Sequence, residues 1–240
     1  MDLTLHGRIR KVQLEITLRC NHFCANCNRL VGICTPPDSD MEISQIEKFI
    51  AQTINRYHRL KTPLESIHLI GGEPLIHPNF LDIYHLIKDC LLGPGYVGRI
   101  EVYTNGRLPI PDEIKGFTLV SSPENKMHGN FYVSPLDTGQ AIFNCGAPNN
   151  CGIAVNAFGY FPCGAGCSII RLLEIPNQIY YDFPDDLDVW DFNLVCSHCI
   201  HGAVGGVPAS PALNDPHSVP TSETFKNKLL HYQNKELKRL

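Results

Sequence analysis

The chain has 240 residues, 43% of them hydrophobic and 18% charged, a composition that buries a real core and fits one domain plus a small appendage. Its net charge of −4, with no long run of one sign, offers no basic surface to nucleic acid; without a secretory signal or an apolar run of about 18 residues, it is expected to be cytoplasmic and not to span a membrane. In a reducing compartment, eleven cysteines are expected to be metal ligands or reactive thiols rather than disulfides, and the odd count also excludes complete pairing.

Residues 12–20, VQLEITLRC, alternate and are rich in branched apolar side chains, as a strand should be. Directly after it, RCNHFCANC sets Cys20, Cys24 and Cys27 at intervals of four and three. Ser39 and Glu42 have the S-x-x-E form of a capping box, and Ile43, Ile46, Phe49, Ile50, Ile54, Tyr57 and Leu60 then recur at helical spacing. A strand over 65–71, a helix over 79–92 bearing Cys90 on its apolar face, a strand over 99–106, a short helical piece over 111–116 and a strand over 117–122 follow. Strands alternating with helices predict parallel pairing through right-handed crossovers, an α/β sheet or part of a barrel with ligands at the C-terminal strand ends, where the cysteine loop also lies.

Helical periodicity stops near residue 137. Between 145 and 199 come Cys145, Cys151, Cys163, Cys167, Cys196 and Cys199, among short β-like pieces that include a hairpin turning near Gly159. The expected divisions are a core over 1–137, a cysteine-bound appendage over 138–202, and a surface loop and helix over 203–240 that pack on the core. The last helix, 226–240, reads as a packing or solvated helix rather than a nucleic-acid arm.

Three thiolates do not complete a four-ligand structural zinc site, but they hold three corners of a [4Fe-4S] cube and leave the fourth iron open. With Cys20, Cys24 and Cys27 in C-x3-C-x2-C order after a first strand, the chain resembles the radical S-adenosylmethionine (SAM) superfamily; Asn26 stands where that family usually has an aromatic residue. Gly71-Gly72-Glu73-Pro74, at the end of the second strand, resembles the family's motif for the amino group of SAM. Glycines there admit close backbone approach, and a carboxylate or a backbone carbonyl accepts from an ammonium. YTNG at 103–106 and VSS at 120–122 resemble the ends of its third and fourth strands, making Thr104, Asn105 and Ser121 candidate SAM contacts. His22 reads as loop packing.

The resemblance implies a partial (β/α) barrel of the radical SAM type, a [4Fe-4S] cluster whose open iron binds SAM, and reductive cleavage of SAM to a 5′-deoxyadenosyl radical that abstracts a hydrogen atom. It also implies a reductase or flavodoxin-type electron donor. Cys145, the hairpin, Cys163 and the Cys196–Cys199 pair resemble the twitch module, a short form of the SPASM module, in which four such cysteines bind an auxiliary [4Fe-4S] cluster; Cys151 and Cys167 exceed the requirement, either being an alternative ligand to Cys145 or a buried thiol, and a four-thiolate zinc is the bland alternative. The twitch resemblance points to an oxidoreductase that dehydrogenates a carbinol carbon, with the auxiliary cluster as electron acceptor. Spare cysteines keep open an epimerase or isomerase in which a non-ligand thiol donates a hydrogen atom, and a non-enzymatic iron–sulfur or zinc-binding module is a third reading. The dehydrogenase needs a base for the hydroxyl proton, which the sequence does not identify; His128 and Arg171 are guesses. Since too few residues precede 12 for a leader-peptide-binding domain, a small molecule such as a sugar, cyclitol or nucleotide derivative is the expected substrate.

Overall fold

The computed structural model describes residues 7–22, 27, 29–31, 35–36, 38–119, 146–199, 227–228 and 239–240. Cys24, Cys34, Ser121, His128, Cys145, the loop over 202–216 and most of the C-terminal helix lie outside the described residues.

The first strand, β1 (Lys11–Thr17), forms where the sequence predicts it, with both faces buried from Val12 to Thr17 although its residues alternate between apolar and polar. Val12, Leu14 and Ile16 enter the hydrophobic core, where they join Ile46, Phe49 and Ile50 of helix α1 (Ile43–Leu60), Ile67 and Leu69 of β2 (Ser66–Gly71), and Phe80, Ile83 and Ile87 of α2 (Phe80–Ile87). Complete burial of such a side chain contributes about 1.5–3 kcal/mol, so this seam carries much of the fold. The remaining strands are β3 (Ile100–Thr104), β4 (Phe117–Leu119), β5 (Ile153–Asn156) and β6 (Gly159–Phe161). Together they form one six-stranded sheet in the order β4-β3-β2-β1-β5-β6, parallel throughout except for the β5–β6 hairpin. This is a mixed α/β fold dominated by parallel pairing.

Several elements depart from the sequence reading. The capping box of α1 is made by Glu42 and Gln45, with Gln45 Oε1 accepting from the Glu42 N–H at 2.9 Å, and not by Ser39 and Glu42. The reason is tertiary: the Met41 N–H is drawn to the Ile16 carbonyl at 2.8 Å and the Asp40 side chain to Thr17 and Arg19, so the chain stays extended for a further turn and the Ser39 hydroxyl is buried without a partner. Regular helix ends at Ile87 and widens into a π turn over Lys88–Leu92 ahead of Gly93-Pro94-Gly95, with Cys90 half-buried against the core. Residues 111–116 make only a turn, closed by Ile114 N–H donating to the Pro111 carbonyl at 3.0 Å; so few residues cannot sustain a helix nucleus.

The hairpin turns at residues 157–159, and Gly159 takes the φ of +134° that its position demands. It does not fold apart from the sheet. β5 pairs in parallel with β1, Val12 opposite Ile153 and Leu14 opposite Val155, so β1 is a central strand with neighbours on both sides. After the hairpin come α4 (Gly164–Leu173) and α5 (Phe192–Cys196), with α3 (Ala147–Asn150) preceding β5. Leu240 docks on the hairpin turn through its N–H to the Ala157 carbonyl.

Candidate functional site

β1 ends at Thr17 and the chain runs through Arg19 into Cys20. Against this exit lies the turn after β2. Gly72 N–H donates to the Thr17 carbonyl at 2.9 Å and Glu73 N–H to the Arg19 carbonyl at 2.8 Å. The approach is so close that a Cβ on Gly71 would strike the Thr17 carbonyl oxygen and one on Gly72 the Arg19 carbonyl oxygen, and Gly71 also sits at φ +143°. Both glycines are therefore steric requirements of bringing this turn to the cysteine loop.

Glu73, with no exposed surface, turns inward. Its carboxylate accepts from the Thr104 hydroxyl at 2.8 Å, the Asn105 N–H at 2.7 Å and the Leu75 N–H at 3.1 Å, which ties the ends of β2 and β3 together. The carboxylate is thus engaged with the strand ends, while Gly71 is buried and Gly72 half-buried against the exit of β1. Asn105 in turn lies with Nδ2 3.8 Å from Cys20 Sγ and donates to Asn21 Oδ1 at 2.8 Å. Cys20, Gly71 to Glu73, Thr104 and Asn105 are thereby gathered at the C-terminal ends of three adjacent strands, as the sequence predicts. Pro74 starts a short 3₁₀ turn, Pro74–Ile76, whose His77 bonds to the Met41 carbonyl at 3.0 Å and so fastens the turn to the start of α1.

The base of the cysteine loop is closed by Asp40, which the sequence reading did not single out. It accepts from Thr17 Oγ1 at 2.5 Å and from Arg19 Nε at 2.9 Å. Burial pushes its carboxyl up, but the bonds from Arg19 and Thr17 outweigh that and hold it below the ordinary carboxylate range. Burial pushes the Cys20 thiol up, the charges of Cys27 and Glu73 add to the shift, and donation from the His22 N–H and Asn105 opposes it. Cys20 and Cys27 are near enough to sense each other's charge, both are half-buried, and a thiol of this kind gives up its proton on binding iron. This donor set fits a thiolate-ligated cluster.

The second set is brought together in part. Cys163 caps α4, its Sγ accepting from the Gly166 N–H at 3.3 Å. A Cβ on Gly166 would lie 3.2 Å from both Cys163 Sγ and Val195 Cγ1, so the start of α4 abuts the residue before Cys196; Cys196 and Cys199 are buried. Among the described residues, no three His, Cys, Asp or Glu side chains are grouped closely enough to hold a metal. Cys151 is exposed at the end of α3, at the end of the sheet opposite to Cys20. Cys167 is buried, its sulfur accepting from Asn156 Nδ2 at 3.0 Å and Arg171 Nε at 3.4 Å; burial pushes its thiol up to about 12, so it keeps its proton. Arg171 is committed to that sulfur and lies over the Phe158 ring, where it serves as packing rather than as a base.

Arg29 links the two sets, and no spacing pattern announced it. Two residues after Cys27, its Nε donates to the buried Glu15 at 2.8 Å and another guanidinium nitrogen to Gln13, while its carbonyl accepts from Ser168 Oγ of α4 at 2.7 Å. A Cβ on Gly164, the residue after Cys163, would lie 2.7 Å from the guanidinium.

No protein-family model matches the chain. A GTP 3′,8-cyclase from Synechocystis sp. (strain ATCC 27184 / PCC 6803 / Kazusa) is 30% identical over 99 residues, which are 41% of this chain and 27% of that protein. The chain thus matches only about a quarter of that relative's length. Two solved structures of BtrN share 17% identity: a complex with AdoMet and 2-DOIA, covering 44% of this chain and 39% of that one at a TM-score of 0.35, and an open conformation of the selenomethionine protein, covering 66% and 71% at 0.43. Among the described residues, no helix is long and apolar enough to cross a membrane. The similarity to GTP 3′,8-cyclase bears only on the part of the chain that it covers.

Proposed function

We propose that this chain is a radical SAM enzyme in which Cys20, Cys24 and Cys27 hold a [4Fe-4S] cluster and Gly71, Gly72 and Pro74 line the site of SAM. The observation that carries this reading is the docking of Gly72 and Glu73 on Thr17 and Arg19, which sets the glycine turn beside the segment that leads into Cys20. Bound cluster and SAM would supply the hydrogen-abstracting radical. The protein's part is to position and enclose. The backbone carbonyls of the glycine turn accept the ammonium of SAM, Asn105 bonds toward Cys20, and Thr104 and Glu73 keep the strand ends from parting. Ser121 belongs to the same proposed set.

The reaction is oxidation of a small-molecule carbinol, with a second cluster on Cys145, Cys163, Cys196 and Cys199 receiving the electron. The cluster-bearing chain works in the cytoplasm with a flavodoxin-type donor. The proximity of Cys163 to the residue before Cys196, and of Arg29 to Gly164, favours two sites in electronic reach of each other. A second reading, an epimerase, is favoured by one observation: Cys167 retains its proton, as a hydrogen-atom donor must.

Anaerobic reconstitution tests the proposal. The expected content is about eight irons per chain, two cubes, with 5′-deoxyadenosine formed from SAM on reduction. Zinc in place of iron, or intact SAM after reduction, overturns it; about four irons removes the second cluster. One solvent deuterium in an isomeric product would decide for the epimerase.

A further inference from the structure

A strand buried in the middle of a parallel sheet ordinarily reads as a nearly continuous apolar run, because both of its faces are covered by core. β1 and β2 break that rule on one face only. Their core-facing residues are Val12, Leu14, Ile16, Ile67 and Leu69, whereas the other face carries Gln13, Glu15 and Thr17 on β1 and Ser66 and His68, followed by Ile70, on β2. Register aligns these into a row: Gln13 of β1 stands opposite His68 of β2, which stands opposite Glu101 of β3. Tyr103 lies on the same face of β3, its ring 4.9 Å from that of His68 and its hydroxyl donating to Glu101 Oε2 at 3.1 Å. A polar row across three central strands costs core burial and is expected where a fold serves a ligand rather than its own stability.

His68 is the reactive member of the row. It is 6% exposed, and its Nε2 lies 2.9 Å from Ser66 Oγ and 4.0 Å from Glu101 Oε2. Ser66 Oγ accepts as readily as it donates and the Glu101 carboxylate only accepts, so a proton on Nε2 suits both neighbours, and with this tautomer the lone pair is on Nδ1. Among the described residues, Nδ1 has no hydrogen bond. Burial lowers the pKa of the ring, as do the charges of Arg99, Lys11 and Arg29, while Glu101 alone opposes them; the ring is neutral at pH 7 and a carboxylate waits behind it to stabilise the cation. Because Nε2 faces both the serine and the carboxylate, this is not a nucleophilic triad, in which the two partners sit on different ring nitrogens. On the same strand, Gly71 lies three residues, about 10 Å, further towards the SAM site, an interval that a small substrate would span.

We propose that His68 is the base of this enzyme, its Nδ1 taking the hydroxyl proton of a carbinol substrate that rests on the His68 and Tyr103 face of the sheet. The inference rests on the radical SAM reading for what precedes it. Bound cluster and SAM would supply the abstraction of a hydrogen atom from the carbinol carbon; His68 Nδ1 would take the O–H proton, and an iron–sulfur acceptor would take the one remaining electron, so the two hydrogens and two electrons that the alcohol loses on becoming a carbonyl would all be accounted for.

The test is ¹⁵N-histidine NMR of the full chain, anaerobically loaded, with myo-inositol and glycerol as carbinol probes. The expected result is a neutral Nε2–H tautomer for His68, a titration below that of an ordinary histidine, a further downward shift in Glu101→Gln, and movement of the Nδ1 resonance, not Nε2, on adding a probe. A proton on Nδ1, a titration at or above the ordinary value, or an Nδ1 signal indifferent to both probes overturns the proposal. Assay of 5′-deoxyadenosine in the same wild-type sample separates the two ideas: none formed, with Nδ1 behaving as expected, sinks the radical SAM reading and leaves a carbinol-binding base, whereas formation with an indifferent Nδ1 sinks only the base.

Discussion

A single methyl group decides whether the turn after β2 can reach the segment that leads into Cys20. Gly72→Ala places that methyl against the Arg19 carbonyl, with Val31 Cγ1 only 3.0 Å away on another side. Backbone has to move, at a cost of roughly 1–3 kcal/mol, and the expected outcome is a lower urea midpoint together with loss of SAM binding by calorimetry. Asp40 gives the sign of a pH effect. Its folded pKa lies below its unfolded one, so the stabilisation it brings is complete above the unfolded value and is lost as pH falls through the folded one. Asp40→Asn should therefore flatten the fall in stability below about pH 4, read by urea titrations at pH 5 and pH 3; an unchanged slope would discard the role given to Asp40. At this scale the glycines were legible because a glycine pair at a strand end signals a close approach of backbone. Asp40, Arg29 and His68 were not, because a lone charged or titratable residue carries no periodic signal and acquires its role only from partners 14 to 33 residues distant, as Glu15 is to Arg29 and Glu101 to His68.

Among elements, α4 and the cysteine loop are fastened through Arg29 rather than by apolar contact alone. Glu15 has no exposed surface, and it accepts from Arg29 and from Asn156 Nδ2, the latter at 2.8 Å. Arg29→Met removes the compensating charge and is expected to cost about 3–5 kcal/mol, a loss that Glu15→Gln in the same chain should partly restore. Chemical denaturation of the two single variants and the double checks this, and additive losses would contradict it. The helices and strands themselves followed from periodicity nearly as read. What failed was local: Ser39 was read as a helix cap on its spacing to Glu42, yet the pull of Ile16, Thr17 and Arg19 on residues 40 and 41 moved the start one turn on. The parallel pairing of β5 with β1 was invisible because a hairpin sequence specifies its own antiparallel partner and says nothing of its other edge.

For the whole molecule, the hairpin and the N-terminal strands share a sheet and a single hydrophobic cluster, with Tyr160, Phe161 and Trp190 in the same core as Leu14 and Phe49. One cooperative unfolding transition follows. Trp190, the chain's one tryptophan, lies beyond the hairpin and donates to the Gln178 carbonyl at 3.1 Å, so its fluorescence reports on that region while far-UV circular dichroism reports on the helices of the other half. The two signals should share a midpoint in urea; separate midpoints would mean that the cysteine-rich part folds by itself. A central β1 also shapes how the protein breathes. Val12, Gln13 and Leu14 have a paired strand on either flank, so fraying from the hairpin edge or from β4 reaches them last, and their amides should be among the slowest to take up deuterium. Beyond Leu14 the strand keeps only β2 as a paired neighbour, so exchange protection along β1 should fall from Leu14 towards Thr17, the end that leads into Cys20.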